Sequence, residues 1–289
     1  MIVQSAFYNY ASLFKQHGIP DAADEARVLI CHVLKISTAD FFAMPGRCLT
    51  DAEQFALSVL AERCLDGEPM AYVTGYKEFY GIDLYVDSRV LLPRPETETL
   101  VEEALKYSKG KTGRHLDIAD VGTGSGAIAI ALALNLTNAF VFAIDISATA
   151  LEVAQSNVWQ YGLEKRVKLL NGDLLLPLPQ PVDVLVANLP YIAENELRGL
   201  PEEILRYEPI VALNGGVEGT AVINRLLGQV EGKIKPGGII LLEIGLGQEE
   251  QISEVAKGIL QGSKISLCDD LAGIKRVVKI IAPIFDMDK

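Results

Sequence analysis

In the first 75 residues, apolar positions recur at the three- and four-residue spacing of helices. Ala22, Ala26, Leu29, Ile30, Val33 and Leu34 of PDAADEARVLICHVLK form one stripe, with Pro20-Asp21 as the start signal. In LTDAEQFALSVLAERCLDGEP, Thr50 and Glu53 make a capping-box pattern, Phe55, Val59 and Leu60 share a predicted face, and Gly67 with Pro69 stops the helix. With a first helix over about 6–16 and a short one near 39–42, residues 1–75 are expected to form a small helical bundle. Nothing catalytic stands out in it.

The pattern changes at GYKEFYGIDLYVDSRVLLPRPETETLVEEALKY. Phe79-Tyr80 and Leu84-Tyr85-Val86 flank Gly81-Ile82-Asp83, which predicts a hairpin. Pro95 suits the first turn of a helix, and Glu96 and Glu98 sit where its positive end favours carboxylates. Residues 76–110 are therefore expected to be a hairpin and linker helix. Over 111–289, apolar strand runs alternate with helical stretches, as in a parallel sheet covered on both faces. Strands are expected at 116–121, 140–145, 167–171, 182–187 and 238–244, and helices at about 126–134, 148–160, 196–205 and 218–231. KISLCDD and KRVVKIIAP, joined by Leu271-Ala272-Gly273, read as an antiparallel hairpin closing the sheet edge. The expected fold is thus α/β and Rossmann-like, with a helical bundle before it.

Candidate chemistry gathers at the carboxyl ends of these strands. LDIADVGTGSGAIAIALAL passes from a strand through Gly122, Gly124 and Gly126 into a helix, so a ligand can lie against bare backbone N–H groups. A glycine turn alone also serves to pack a helix on a sheet. The next strand ends in Asp145, 19 residues after Gly126, where a carboxylate can accept both hydroxyls of a ribose; alternatively it caps the helix near Ala148. A third strand ends in Asn171-Gly172-Asp173, and Asp173 could take the amino group of an adenine. Together they predict an adenosine-containing cofactor.

The fourth strand runs into Asn188-Leu189-Pro190-Tyr191 at the same edge. The residue before a proline is extended, so Leu189 should aim its carbonyl in a fixed direction beside the Asn188 side-chain oxygen. Two acceptors side by side match an –NH2 group, and Tyr191 can lie over the flat system that carries it. Such a nitrogen is a weak nucleophile, because its lone pair is delocalised. Accepting hydrogen bonds from its N–H groups returns density to it and aims it at an electrophile. The simplest electrophile on an adenosine cofactor in this strand order is the sulfonium methyl of S-adenosyl-L-methionine. Otherwise Asn188-Leu189-Pro190-Tyr191 is a strand-ending turn with the asparagine bonded to its own backbone.

Charge narrows the partners. With 38 acidic and 26 basic residues, net −12, the chain is a poor match to a broad nucleic-acid grip. Cys31, Cys48, Cys64 and Cys268 make no CxxC pair and are expected to be buried free thiols, and no metal is expected. The N-terminal stretch lacks a basic region followed by an apolar core, and the longest apolar run, Ala127–Leu134, is too short to span a bilayer. A cytoplasmic protein is expected.

Across nearly its whole length the chain resembles the class I S-adenosylmethionine-dependent methyltransferases, and within them the peptide chain release factor glutamine N5-methyltransferases. The resemblance is carried by GEPMAYVTGYKEFYG, LLPRPETETLVEEAL, DVGTGSGAIAIALA, AIDIS, NGDLLLPLP, VANLPYI, RYEPIVALNGGVEG and KPGGIILLEIGLGQ. It implies that Gly122, Thr123, Gly124, Ser125, Gly126, Asp145 and Asp173 contact the cofactor and that Asn188 through Tyr191 hold a glutamine amide. It also implies release factors as protein substrate, and the position of the N-terminal bundle makes it the part expected to grip that substrate, since one glutamine side chain offers little surface. One position departs: the family has two prolines after the asparagine and this chain has Leu189, a form more typical of methyltransferases acting on the exocyclic amine of adenine in RNA or DNA. A cofactor-binding protein without catalysis is the third class consistent with the sequence.

Overall fold

The computed structural model describes residues 1–111 and 113–283 of the 289. These fall into two compact units, Met1–Tyr76 with Glu202–Tyr207, and Lys77–Pro201 with Glu208 onward.

The first unit contains α1 (Val3–Gln16), α2 (Ala22–Leu34), α3 (Thr38–Ala43), α4 (Asp51–Leu65) and α5 (Met70–Thr74). The Thr50/Glu53 capping box forms: Glu53 N–H donates to Thr50 Oγ1 at 3.2 Å and Thr50 N–H to Glu53 Oε2 at 2.8 Å. Ser37 and Asp40 make a second box at the start of α3. Phe14, Leu29, Ile30 and Leu57 are fully buried in this unit's core. The expected inward face of α4 is corrected. Leu57, Ala61 and Cys64 face the core, whereas Phe55 is 71% exposed and Val59 41%. Both stripes have helical spacing, and the contacts with the neighbouring helices bury the Leu57 stripe. The cysteine expectation is corrected as well: Cys64 is buried, Cys31 and Cys268 are half-buried, and Cys48 is exposed.

The second unit begins with a two-stranded hairpin, β1 (Tyr76–Phe79) and β2 (Ile82–Tyr85), whose turn is Tyr80-Gly81. Pro95 then opens a 3-10 turn, Pro95–Thr97, that leads into α6 (Glu98–Ser108). The remaining elements are β3 (Leu116–Val121), α7 (Ala127–Asn135), β4 (Ala139–Asp145), α8 (Ala148–Gln160), β5 (Val167–Asn171) and β6 (Val182–Ala187). They are followed by α9 (Glu194–Leu197), α10 (Glu202–Tyr207, grouped with the first unit), α11 (Ala221–Leu227), β7 (Ile234–Glu243), α12 (Glu249–Ile259), β8 (Lys264–Asp269) and β9 (Lys275–Ile281).

The sheet order is β5-β4-β3-β6-β7-β9-β8, parallel from β5 to β7, with β9 antiparallel to both β7 and β8. The chain winds outward from β3 to β5 and returns to β6 on the other side of β3, so the connections splay apart at the β3–β6 boundary, where such sheets bind ligands. Every residue of β3 and β6 is buried, which explains their near-continuous apolar runs. Ile118, Val184 and Val186 pack on one face with the all-buried body of α7. Ala119, Val121, Leu185 and Ala187 pack on the other.

Several elements differ from expectation, among them β7, which begins at Ile234 and not at 238. The helix expected at 196–205 is two short helices, broken at Gly199-Leu200-Pro201, because proline lacks the N–H and disfavours helix in the residue before it. The helix expected at 218–231 is shorter, with Gly219 at φ +75° before it and Gly228 closing it. α12 lay outside the sequence reading, and only its Ile252 and Ala256 are buried.

Candidate active site

Four strand ends build one cavity of about 410 Å³ within the second unit. Gly122 and Gly124 enter it from the turn after β3, Asp145 from the end of β4, Asp173 from the turn after β5, and Asn188, Leu189 and Pro190 from the end of β6. The paired register Val121↔Ala187 places the glycine turn directly beside the asparagine.

The glycines are required by geometry. Gly122, Gly124 and Gly126 have φ of +76°, +54° and +83°, a region that strains other residues. Thr123, Ser125 and Gly126 stand behind the cavity wall. The Thr123 hydroxyl donates to buried Asp120 at 2.6 Å, and a Cβ at Gly126 would press on Ile130 and Ala154. Asn157 Nδ2 donates to the Ser125 carbonyl at 2.9 Å, tying the turn to α8.

Asp145 does not cap α8, since the Ser147 hydroxyl does so by accepting from Ala150 N–H at 3.1 Å. The Asp145 carboxylate instead accepts from Gly124 N–H at 2.8 Å and Ser147 N–H at 2.9 Å, and burial pushes its pKa up. It therefore braces the turn while keeping lone pairs free toward the cavity. Asp173 is paired with Arg225, whose guanidinium donates to it at 2.5 Å, and both line the cavity. Arg225 and the wall contributed by Arg89, Val90 and Leu91 and by Pro209 to Ala212 were not among the expected site residues, although Leu91 and Pro209 to Ala212 lie within the resemblance blocks. Arg225 comes from α11 and the others from the segments before the Pro95–Thr97 turn and after α10, so their meeting depends on tertiary packing.

At the end of β6, Asn188 Nδ2 donates to the hydroxyl of Thr97 at 2.9 Å, so Oδ1 is the amide atom left for the cavity. Among the described residues the Leu189 carbonyl accepts no hydrogen bond. The Leu189 side chain is 5% exposed and packs in the core with Val121 and Ala187, so packing immobilises this position where a proline ring would have done so covalently. Tyr191 is held at both ends. Its carbonyl accepts from Gln248 at 2.8 Å and its hydroxyl donates to Glu243 at 3.3 Å. Burial raises the tyrosine's pKa to about 12, so the hydroxyl keeps its proton. Glu96 is exposed and Glu98 accepts from Tyr80 N–H, so neither carboxylate of the linker lines the cavity.

The cavity's volume falls in the range of small-molecule sites. Bare glycine backbone, a strand-end carboxylate and apolar walls at Ile144, Ile146 and Leu174 fit an adenosine-bearing methyl donor. Among the described residues no helix is long and apolar enough to cross a membrane, and no group of three or more His, Cys, Asp or Glu side chains could hold a metal ion.

Residues 6–75 match the family model described as the PrmC N-terminal domain, and residues 97–208 match that of ribosomal protein L11 methyltransferase (PrmA). Among solved structures, the hMettl16 catalytic domain in complex with MAT2A 3'UTR hairpin 6 superposes with a TM-score of 0.57 at 16% identity, over 84% of this chain and 86% of that one, which shows the Rossmann-like methyltransferase fold. The release factor glutamine methyltransferase of Moorella thermoacetica is 43% identical over 90% of this chain and 91% of its own. That of Bordetella pertussis is 40% identical over 92% and 96%. With the sheet order, the glycine turn and the asparagine at the end of β6 all in place, this likeness over nearly the full length means that the chain belongs to the release factor glutamine methyltransferase family.

Proposed function

We propose that the cavity binds S-adenosyl-L-methionine and that the enzyme methylates the side-chain amide nitrogen (N5) of the glutamine in the Gly-Gly-Gln motif of peptide chain release factors. The observation that carries this reading is the orientation of Asn188. With Nδ2 committed to Thr97 at 2.9 Å, the asparagine presents an acceptor to the cavity, next to the unpaired Leu189 carbonyl. Two adjacent acceptors suit the two hydrogens of a primary amide.

Asp145 would accept from the ribose hydroxyls, and Asp173 with Arg225 would border the adenine. Gly122 and Gly124 leave room for the donor's chain against the backbone. When bound, S-adenosylmethionine supplies an electrophilic methyl group. The protein's part is positional and electrostatic. Asn188 Oδ1 and the Leu189 carbonyl hold the amide hydrogens, increase the density on nitrogen and fix its direction, and Pro190 and Tyr191 shape the surface against which the planar amide lies.

The N-terminal bundle serves as the recognition surface for the protein substrate, since one glutamine side chain offers too little area for selectivity. A net charge of −12 supports a protein rather than a nucleic-acid substrate. The test is incubation of the purified enzyme with release factor, ribosomal RNA and methyl-labelled cofactor. Label on the Gly-Gly-Gln glutamine is the expected result. Label on RNA alone, or on neither, would overturn the assignment.

A further inference from the structure

We propose that Thr97 and Glu243 are positioning residues that decide which end of the Asn188 amide faces the cavity, keeping Oδ1 there as acceptor. This rests on the reading of Asn188 as the holder of the substrate amide. Thr97, in the 3-10 turn before α6, is 4% exposed, and its Oγ1 accepts from Asn188 Nδ2 at 2.9 Å. Its hydroxyl also interacts with Glu243, the last residue of β7, which is 1% exposed. Glu243 Oε1 accepts from the Tyr191 hydroxyl at 3.3 Å, while among the described residues Oε2 is buried with no hydrogen-bond partner in place. Glu243 lies in the KPGGIILLEIGLGQ block and Thr97 in LLPRPETETLVEEAL, but no local pattern assigns either a role, because their partners come from other segments of the chain.

The argument is one of hydrogen counting. A threonine hydroxyl has one hydrogen to give. Facing an ionised carboxylate, it turns that hydrogen toward Glu243 and offers only lone pairs to its other neighbour. Asn188 must then approach with its NH2 end, which leaves Oδ1 for the substrate. If Glu243 is protonated, the carboxylic acid can donate to Thr97, the hydroxyl hydrogen turns toward Asn188, and the reversed amide becomes favourable. An NH2 group would then face the substrate's own N–H hydrogens, a donor where an acceptor is needed.

Burial pushes the pKa of Glu243 up to about 7, opposed by the Thr97 hydroxyl, the Arg276 guanidinium on β9 and the Tyr191 hydroxyl, and reinforced by Glu96 in the 3-10 turn. The polarity of the chain of hydrogen bonds is therefore set near neutral pH. Above that point the carboxylate form holds Asn188 in the accepting orientation, and below it the hold is lost.

The experiment measures kcat, KM and cofactor affinity with intact release factor and labelled S-adenosylmethionine for Thr97→Val, Thr97→Ser, Glu243→Gln and Asn188→Ala. Thr97→Val keeps the shape without the hydroxyl and is expected to lower kcat by about tenfold or more, the scale of one hydrogen bond lost in the transition state, with cofactor affinity unchanged. Thr97→Ser should restore most of the rate, and Thr97→Val should cost nothing further in an Asn188→Ala background. The wild-type kcat should fall as pH drops through about 7, and Glu243→Gln should flatten that limb. An unchanged kcat in Thr97→Val, equal losses in the Val and Ser variants, or additive losses with Asn188→Ala would overturn the proposal. If Asn188→Ala itself retains full kcat, the reading of the site falls instead, so the two failures are distinct.

Discussion

A β-carbon placed on Gly122 would stand 3.0 Å from Cδ2 of Leu189 and 3.3 Å from the carbonyl oxygen of Asn188. The first glycine of the turn after β3 and the strand end that carries Asn188 are thus packed against each other across the β3–β6 boundary. Gly122→Ala should therefore do more than strain a residue at φ +76° by about 1 kcal/mol. It should push the β6 end out of register with the cavity and lower turnover with intact release factor by roughly 10²-fold, the cost of an ångström-scale misplacement. Steady-state kinetics alongside thermal unfolding separates the two effects.

If Asn188 holds the substrate amide as proposed, Asn188→Ala is expected to reduce kcat strongly while leaving cofactor affinity within about threefold. Isothermal calorimetry with S-adenosylmethionine and single-turnover methylation provide the two readings. Equal losses in both would place Asn188 with the cofactor.

Asp145→Ala should weaken S-adenosylmethionine binding by roughly 1.5–3 kcal/mol, the range for hydrogen bonds to a charged group. Because the same carboxylate accepts from Gly124 and Ser147 N–H groups, stability should also fall, by about 1–3 kcal/mol as two donors lose their partner. Denaturant unfolding with and without cofactor reads both. Affinity equal to wild type would reduce Asp145 to a brace for the turn.

The contribution of Asp120 to stability should decline as pH rises toward neutrality. Burial, reinforced by the nearby Asp145, pushes the fully buried Asp120 up to about 7, and one of its carboxylate oxygens has no partner. A carboxyl whose folded pKa lies above its unfolded value of about 3.9 stabilises fully below about pH 4. That contribution is lost as pH rises through about 7. The change is on the order of a few kcal/mol. Asp120→Asn should flatten the unfolding profile between these limits, and an unaltered slope would assign the pH dependence to other groups.

If the N-terminal bundle supplies recognition, intact release factor should have a KM far below that of a short Gly-Gly-Gln peptide, with kcat closer between the two. Equal KM values would show that the methyltransferase unit alone selects its substrate.

What could be read along the chain was whatever depends on near neighbours in sequence. The strands at 116–121, 167–171 and 182–187, the Thr50/Glu53 capping box and the glycine turn followed by Asp145 rest on residue spacing, turn chemistry and backbone freedom, all local quantities. The family blocks likewise carried the methyltransferase assignment. Tertiary structure decided the rest. α4 has two apolar stripes, and only packing selected Leu57 and Ala61 over Phe55. Asp173 meets Arg225 from 52 positions away, and Asn188 meets Thr97 from 91. Such pairings have no periodicity to betray them, because they arise where separate strands end at one edge of a sheet, and the desolvation that raises Glu243 and Asp120 exists only once the layers on either side have closed.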